Sequence, residues 1–194
     1  MDALQALLSR VSPARLAPDE PVPLMIEHIL AAGLRAADHG RLRPWKFLVV
    51  RGEARHRLGE LLADGLKLRN PEAGAELLEA ERGKPLRAPV IVIVMAVIRD
   101  NPNIPDIEQI VSAGAAAQNM LVAAHALGLG GFWRTGAAAY DPLIKKALGA
   151  SEKDVIVGFL YLGNVATAGK EKEADPEDVV AEWTGLPQSE APPP

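Results

Sequence analysis

The run Ala88–Ile98, APVIVIVMAVI, constrains the fold of this chain more than any other stretch. Its residues are apolar at consecutive positions rather than at alternate ones, which is typical of a β-strand buried on both faces. We therefore predict that this strand lies in the middle of a sheet with a covering layer on each side. The run is far too short to cross a bilayer.

Helical and strand periodicities on either side supply those layers and the other strands. The first helix places Leu4, Leu7 and Leu8 on one face, and Pro23 suits an early position of the second. Asp106 is expected to cap a long helix that Gly128 closes. The predicted helices are 2–8, 22–36, 53–68, 72–82, 106–127 and 141–148, and the further predicted strands are 46–50 and 154–165.

The long helix 106–127 is built from small residues at 113–117 and carries little charge after Glu108. Apolarity around most of its circumference predicts burial on nearly all sides, as in a central helix at a subunit interface. His125 lies on this helix, where a hydrogen-bonded core or interface histidine is expected more often than a catalyst.

Composition excludes several functions. The 194 residues suit one domain, and the net charge of −4 with a pI near 5.6 argues against nucleic acid or an anionic membrane as the main partner. The absence of cysteine excludes disulfides, iron–sulfur clusters and a cysteine nucleophile. The N-terminus has no signal-peptide core, so a cytoplasmic location is expected. No P-loop, GxGxxG, HExxH or GxSxG motif occurs, and the four histidines lack metal-ligand spacing.

The segment Gly33–Val50 is the richest in candidate ligand-binding groups. It runs from a helix through a turn into a strand, and the turn carries Arg35, His39, Arg41 and Arg43. A rigid corner of this kind can present cations to an anionic ligand. The alternative is a solvated loop followed by Trp45 as a core residue, and spacing alone favours that alternative.

Two further segments have the same ambiguity. Arg10 and Arg15 flank Ser12 in a turn constrained by Pro13, which suits a phosphate, although this pattern alone favours an ordinary helix-stop turn in which Ser12 bonds to its own backbone. In Leu129–Gly136, LGGFWRTG, glycines precede an indole, a guanidinium and a hydroxyl. Here the alternative is a glycine-rich turn that leads into an edge strand.

Four blocks in the same order resemble the FMN-dependent nitroreductase family, and most closely its small YdjA-like NAD(P)H nitroreductases. They are MDALQALLSR with R-x-S-x-x-R, ILAAGLRAADHGRLRPWKFLVVRGE, SAGAAAQNMLVAAHALGLGGFWRTG and VGFLYLGN. The resemblance covers residues 1 to about 165. It implies an α+β fold with a mainly antiparallel central sheet flanked by helices, in an intertwined homodimer with two FMN sites at the subunit interface.

The resemblance also implies a set of cofactor-binding residues, contributed by both subunits, and no catalytic side chain or metal. NAD(P)H is the implied reductant, and a nitroaromatic or a quinone is the implied acceptor in a ping-pong cycle. Val11 stands where the family usually has a second arginine, which leaves its backbone to contribute, and Ala37 replaces a common proline. The implied FMN-binding residues are Arg10, Val11, Ser12, Arg35, His39, Trp133, Arg134 and Thr135.

Residues 1–170 are expected to form the single domain, followed by an acidic, proline-rich arm at 171–194. Trp183 within this arm suggests docking on its own domain or on the partner subunit. Three alternative functions remain open at this point. They are a flavoprotein with oxygen-dependent or dehalogenating chemistry, a flavin-binding module without enzymatic activity, and a structural α+β domain without a cofactor.

Overall fold

The computed structural model describes residues 1–170, 179–181 and 183. Its described part contains short 3₁₀ turns at His39–Arg41, Lys84–Arg87 and Ala137–Tyr140. The helices are α1 (Ala3–Ser9), α2 (Pro23–Gly33), α3 (Ala54–Arg69), α4 (Ala75–Arg82), α5 (Asp106–Ala126) and α6 (Pro142–Ala147), and the strands are β1 (Arg15–Leu16), β2 (Trp45–Arg51), β3 (Val90–Ala96), β4 (Gly130–Arg134), β5 (Val155–Gly163) and β6 (Val165–Thr167).

The main sheet has four strands in the order β2-β3-β5-β4, and every neighbouring pair is antiparallel. All seven residues of β3 are buried, as the apolar run predicts. A second, two-stranded sheet pairs β1 with β6 and ties the N-terminal segment to the end of β5. The prediction of a mainly antiparallel sheet flanked by helices is confirmed.

Alternate residues of β3 enter two different cores. Ile91, Ile93 and Met95 pack toward α3 and α6, whereas Val90, Val92 and Val94 pack toward α2 and α5. A bulge in β5 at Val157, opposite the step from Val94 to Met95, lets Ile156 and Phe159 face the same core although their numbers differ in parity. One face of the sheet is covered by α3 and α6 and the other by α2 and α5. These are called the α3/α6 face and the α2/α5 face below.

The inner side of α5 is buried, but its outer side is not. Ala113, Ala117 and Met120 have no exposed surface, whereas Ile107 and Val111 are 63% and 62% exposed. One chain alone therefore buries only the inner side, because no other element of the described chain covers this apolar stripe, and burial of the outer side at a subunit interface stays a prediction.

The N-terminal helix departs from its predicted packing in the same way. Asp2 caps α1 by accepting a hydrogen bond from the Gln5 amide at 2.8 Å. The side chain that α1 buries is Ala6, while Leu4, Leu7 and Leu8 are exposed. Small side chains allow α1 to lie close to α5, and the three leucines consequently face outward.

The helix boundaries lie within a few residues of those predicted, but the predicted N-cap of one helix is wrong. Pro23 begins α2 as predicted. Asp106 does not cap α5, because Pro105 occupies the cap position and Asp106 is the first helical residue. Its charge there still complements the positive end of the helix dipole.

Two more predictions concern the ends of the fold. The arm at 171–194 lies outside the described residues apart from 179–181 and 183, so its predicted wrapping stays a prediction. Trp183 is 77% exposed, so its side chain is not packed on its own domain. Among the described residues, no helix combines the length and the apolarity that crossing a membrane requires.

A buried carboxylate, Asp154, joins the end of β3 to the start of β5. It accepts hydrogen bonds from the Ile98 amide at 2.9 Å and from the Ser151 amide at 2.7 Å. Burial of the carboxyl raises its pKa, but the hydrogen bonds from Ser151 and Ile98 outweigh burial and hold the pKa below its ordinary value. The ionised carboxylate therefore stabilises the fold above the unfolded-state pKa, and this stabilisation is lost as the pH falls through the folded-state pKa.

The Asp154→Asn variant is expected to lose about 1–3 kcal/mol of unfolding free energy at pH 7, because asparagine has one acceptor oxygen and leaves one of the two amides without its partner. The difference from wild type should shrink once the pH falls below about 4, where the unfolded-state carboxyl also binds a proton. Urea unfolding at both pH values measures it, with Glu152→Gln as an exposed control. A difference that does not change with pH would contradict the role given to the ionised carboxylate.

Candidate functional site

The end of β4 forms one wall of a cleft of about 620 Å³ on the α3/α6 face of the sheet. β4 is the edge strand next to β5, as the edge-strand alternative for LGGFWRTG proposes. The volume is within the range of small-molecule and cofactor sites. The lining residues are Leu62, Leu66, Arg69, Glu81, Lys84, Arg87, Phe132, Trp133, Arg134, Thr135, Gly136, Ala137, Ala138, Phe159 and Tyr161.

The floor of this cleft is aromatic. The rings of Phe132 and Tyr161 stack with their centroids 4.9 Å apart and an interplanar angle of 15°. Trp133, the next residue on β4, points to the other face of the sheet and donates its indole N–H to the Val157 carbonyl at 3.0 Å. A Cβ atom at Gly158 would clash with that indole, so glycine is required beside it. The floor is therefore a pair of stacked rings, and Trp133 is held on the opposite face of the sheet.

The rim of the cleft is cationic. Two of its cations are paired, Arg69 with the buried Asp141 and Lys84 with Glu81. Arg87 and Arg134 form no ion pair with any carboxylate of the described residues. The Arg134 guanidinium lies 5.2 Å from the centre of the Phe132 ring, in a cation–π contact.

The pKa of the Tyr161 phenol is shifted by this environment. Burial of its phenol raises its pKa above the ordinary value, although the positive charges of Arg87 and Arg134 oppose the shift. The phenol therefore stays protonated at neutral pH. An aromatic floor with cations at its edge suits a planar ligand that carries negative charge.

A second cleft, of about 660 Å³, adjoins the first and connects it to the N-terminal segment. The two share Arg87, Phe132 and Arg134, and Ala14–Pro18 line the far side of the second. Arg15, which the sequence places in R-x-S-x-x-R, is thereby brought to the same region as Arg134.

The turn Arg10–Ser12 lies at the start of β4, the opposite end from Arg134, and leads directly into Ala14–Pro18 of the second cleft. Pro13, which follows it, packs against Gly130, the first residue of that strand. The Arg10 Nη1 atom is buried and has no hydrogen-bond partner among the described residues. A buried, unpaired guanidinium nitrogen is costly, and a bound anion would satisfy it. Val11 is half-buried and Ser12 is exposed in the same turn.

Arg35 and His39 lie elsewhere in the chain. Both are exposed, at the end of α2 and in the corner that follows, which belong to the α2/α5 face. Arg35 lines a groove of about 600 Å³ between α1, α2 and α5. The His39 Nδ1 atom lies 2.5 Å from Glu108 Oε2 at the start of α5. One chain therefore does not bring these two residues to the cleft that contains Arg134.

The structure thus brings together Trp133, Arg134 and Thr135, places Arg10–Ser12 nearby, and leaves Arg35 and His39 on the other face. Sequence reasoning missed Lys84, Arg87 and Tyr161. The first two lie near the charged helices 53–82, whose mixed charges resemble a solvated face, and Tyr161 lies in an apolar strand. The one sequence feature that could have indicated them is Gly83-Lys84-Pro85, which predicts a basic turn shortly before β3.

His125 fits the interpretation of a hydrogen-bonded core residue. Its Nε2 atom lies 2.8 Å from Ser9 Oγ, and that hydroxyl donates to the Gln5 carbonyl at 2.7 Å. Because the hydroxyl proton is already used, the imidazole acts as the donor and Ser9 is not activated as a nucleophile. This pair joins α1 to α5.

An antiparallel sheet between two helical layers carries, at its edge strand, an aromatic and cationic cleft that suits a planar ligand with negative charge. The profile of the Nitroreductase family matches residues 7–164. The chain belongs to the Nitroreductase family and is an oxidoreductase.

Individual proteins agree with this assignment. The chain is 43% identical over 163 residues to the Escherichia coli K12 protein named "Putative NAD(P)H nitroreductase YdjA", covering 84% of this chain and 88% of that one. The solved structure of a nitroreductase-like family protein from Bacillus cereus superimposes with a TM-score of 0.79 at 20% identity, covering 95% and 97% of the two chains. A nitroreductase with bound FMN from Bacteroides fragilis gives a TM-score of 0.70 at 19% identity, covering 94% and 100%.

Proposed function

We propose that this chain forms a homodimer that binds FMN in the cleft at the end of β4. In this proposal the dimer passes hydride from NAD(P)H, by way of FMN, to an electron-poor small molecule such as a nitroaromatic or a quinone. The cytoplasm is the proposed location, and neither nucleic acid nor a membrane is a proposed partner.

One observation carries the proposal. Trp133, Arg134 and Thr135, which the resemblance implies as flavin-binding residues, all line a single cleft whose floor is the Phe132–Tyr161 stack. The fit to FMN can be judged from the protein side alone. The floor suits a planar ring system, Arg134 and Arg87 are available for its negative charge, and the buried Nη1 atom of Arg10 has no hydrogen-bond partner among the described residues.

The phosphate of FMN is assigned to the N-terminal side of the region. Arg10, Ser12 and Arg134 are its proposed ligands, and the backbone of Val11 is a further donor. The connection between the two clefts supports this assignment, because Arg134 lines both of them and Ala14–Pro18 lead back toward Ser12. Arg15 joins this set as a cation that the second cleft also contains.

The other side of the flavin is assigned to the partner subunit, through its copies of Arg35 and His39. Support comes from the exposed apolar surface of the described chain. Ile107 and Val111 on α5 are uncovered, and Gly114, one turn further, has open space beside it. Apolar positions spaced by four and three residues lie on one helical face, so a second copy of α5 can pack there.

When bound, FMN supplies the hydride chemistry, accepting a hydride from a reduced nicotinamide and donating it to an acceptor. The protein's part is positioning and electrostatics. The Phe132–Tyr161 floor excludes water from one side of the cleft. Arg87 and Arg134 place positive charge at its rim, where preorganised cations stabilise developing negative charge. No side chain is assigned as an essential acid or base, because solvent can supply the proton.

A cleft whose floor is assigned to the flavin also favours a ping-pong cycle, because the reductant and the acceptor must then use its open side in turn. The purified protein is expected to be yellow and to lose its visible absorption when NADPH is added without oxygen. Adding a quinone should restore the absorption. Initial rates at several fixed quinone concentrations should give parallel double-reciprocal lines against NADPH concentration.

Other outcomes separate this function from its alternatives. A yellow protein that NAD(P)H does not reduce would indicate a flavin-binding module without enzymatic activity. Product formation only in the presence of oxygen, or release of halide from a halogenated acceptor with no turnover of quinones, would indicate different flavin chemistry. A protein that stays colourless after incubation with FMN would contradict the proposal altogether.

A further inference from the structure

The corner between α2 and β2, residues 38–43, has an unusual backbone. Gly40 has φ of 67°, and two residues that are not glycine, Arg41 and Arg43, have φ of 56° and 48°. Left-handed backbone is unfavourable for a residue with a Cβ atom. Arg43 also precedes Pro44, which restricts its backbone further. Strain of this kind at two neighbouring arginines is a reason to look for a function.

Three contacts hold the corner in this conformation. The Asp38 carboxylate accepts a hydrogen bond from the Arg43 amide at 2.7 Å. His39 bonds to Glu108 at the first turn of α5. Gly40 lies so close to Ile104 that a Cβ atom would clash with that side chain. The corner is therefore anchored to both the loop before α5 and the helix itself.

The corner presents two cations outward. Arg41 and Arg43 are both exposed, and neither guanidinium forms an ion pair with a carboxylate of the described residues. Two arginines two positions apart offer forked donors that match the oxygens of a phosphate better than lysines would. A fixed backbone reduces the entropy lost when such a group binds.

The position of the corner indicates which phosphate group it could bind. In the proposed dimer, His39 of this corner reaches the partner's flavin, which would bring Arg41 and Arg43, two and four residues further along the chain, to the mouth of the same cleft. The flavin phosphate is assigned to Arg10 and Ser12. A nicotinamide that stacks on the bound flavin leaves the adenosine half of the dinucleotide at the rim. The 2′-phosphate is the group there that an exposed pair of guanidiniums would distinguish.

We infer that Arg41 and Arg43 bind the 2′-phosphate of NADPH and make the enzyme prefer NADPH over NADH. This inference rests on the proposed function. It adds the identity of the reductant and the residues that select it.

The Arg41→Gly/Arg43→Gly variant tests the inference, because glycine accepts the left-handed backbone while removing both guanidiniums. The ratio of kcat/KM for NADPH to that for NADH is expected to fall by about tenfold or more, as for the loss of charge-assisted phosphate contacts. The melting temperature should not fall, since the strained positions are relieved. The Arg41→Lys/Arg43→Lys variant keeps the charge and should retain an intermediate ratio.

A binding measurement gives a readout that does not depend on turnover. Calorimetric titration of the FMN-loaded protein with adenosine 2′,5′-bisphosphate should show tighter binding than with adenosine 5′-monophosphate, and the glycine variant should lose the difference. Arg57→Gln is the matched control, because Arg57 is exposed on α3 and forms no ion pair with the described residues. It should change neither the ratio of the two kcat/KM values nor the difference in affinity between the two nucleotides.

The outcomes separate this inference from the proposed function. A protein without FMN would contradict the proposed function itself. A yellow enzyme whose two kcat/KM values fall equally in the glycine variant, or do not change, would overturn only the assignment of the 2′-phosphate to this corner. A higher salt concentration should lower the NADPH value more than the NADH value, and equal sensitivity would also count against the assignment.

Discussion

The Val111→Glu variant is expected to be a monomer in solution and to bind no FMN. Val111 is 62% exposed on the outer face of α5, in the apolar stripe that no described part of the chain covers. Across a two-fold axis the substitution introduces two carboxylates into one apolar contact, and burying such charges without partners costs several kcal/mol. Because the proposed flavin site needs Arg35 and His39 of the second subunit, loss of the dimer should also remove the cofactor.

Sedimentation velocity and the visible absorption of the same sample measure both effects. Leu68→Glu is the matched control, because Leu68 is 69% exposed on α3, away from the stripe, and should leave the dimer and its colour intact. A Val111→Glu dimer with full FMN would place the subunit contact elsewhere. A monomer that still holds FMN would mean that one chain forms the complete site.

The Arg10→Ala variant should bind FMN about 100-fold more weakly, the loss expected when a charged hydrogen bond to phosphate is removed. Its apo form should nevertheless be at least as stable as wild type. The reason is that the Nη1 atom of Arg10 is buried without a partner among the described residues, so the guanidinium is costly to the fold in the absence of a ligand.

Fluorescence titration of the apo protein with FMN and urea unfolding of the apo protein measure the two effects separately. Arg51→Ala, an exposed arginine at the end of β2, serves as the control for both. An Arg10→Ala protein that unfolds more easily but binds FMN normally would show that Arg10 has a structural role only.

Much of the fold could be predicted from local patterns. The unbroken apolarity of 88–98 predicts a strand in the centre of the sheet, and β3 is buried at every position. The small residues of α5 predict close packing, which occurs on its inner side. Burial of the outer side at a subunit interface stays a prediction, because periodicity shows that a surface is apolar, whereas whether it is covered by the same chain or by another depends on tertiary and quaternary packing.

The residues of the candidate site also fall into those that local sequence patterns predict and those that they do not. The segment 129–136 could be identified because tryptophan, arginine and threonine follow glycines in one short stretch. Lys84 and Arg87 could not, because only the packing of α3 and α4 on the sheet turns a charged surface segment toward the cleft. The left-handed backbone of Arg41 and Arg43 was also unpredictable, since glycine or asparagine is the usual signal for such angles.

The pairing of Arg69 with Asp141 illustrates the limit for long-range contacts. The two residues are far apart in sequence, and each resembles an ordinary surface charge, yet Asp141 is buried and also caps α6. β1 and β6 contain two and three residues, so they have no periodicity to detect. Contacts between distant segments determine these features, and a single sequence does not contain that information.

A mixed dimer tests most directly whether two subunits share each flavin site. One chain would carry Arg134→Ala, which damages its own cleft, and the other would carry Arg35→Ala, which damages the contribution to its partner's cleft. If the sites are shared, both substitutions fall in one site of the mixed dimer and the other site is intact. The expected result is one FMN per mixed dimer at wild-type affinity, with weak binding by both homodimeric variants. FMN binding as weak in the mixed dimer as in its parents would contradict a site shared between subunits.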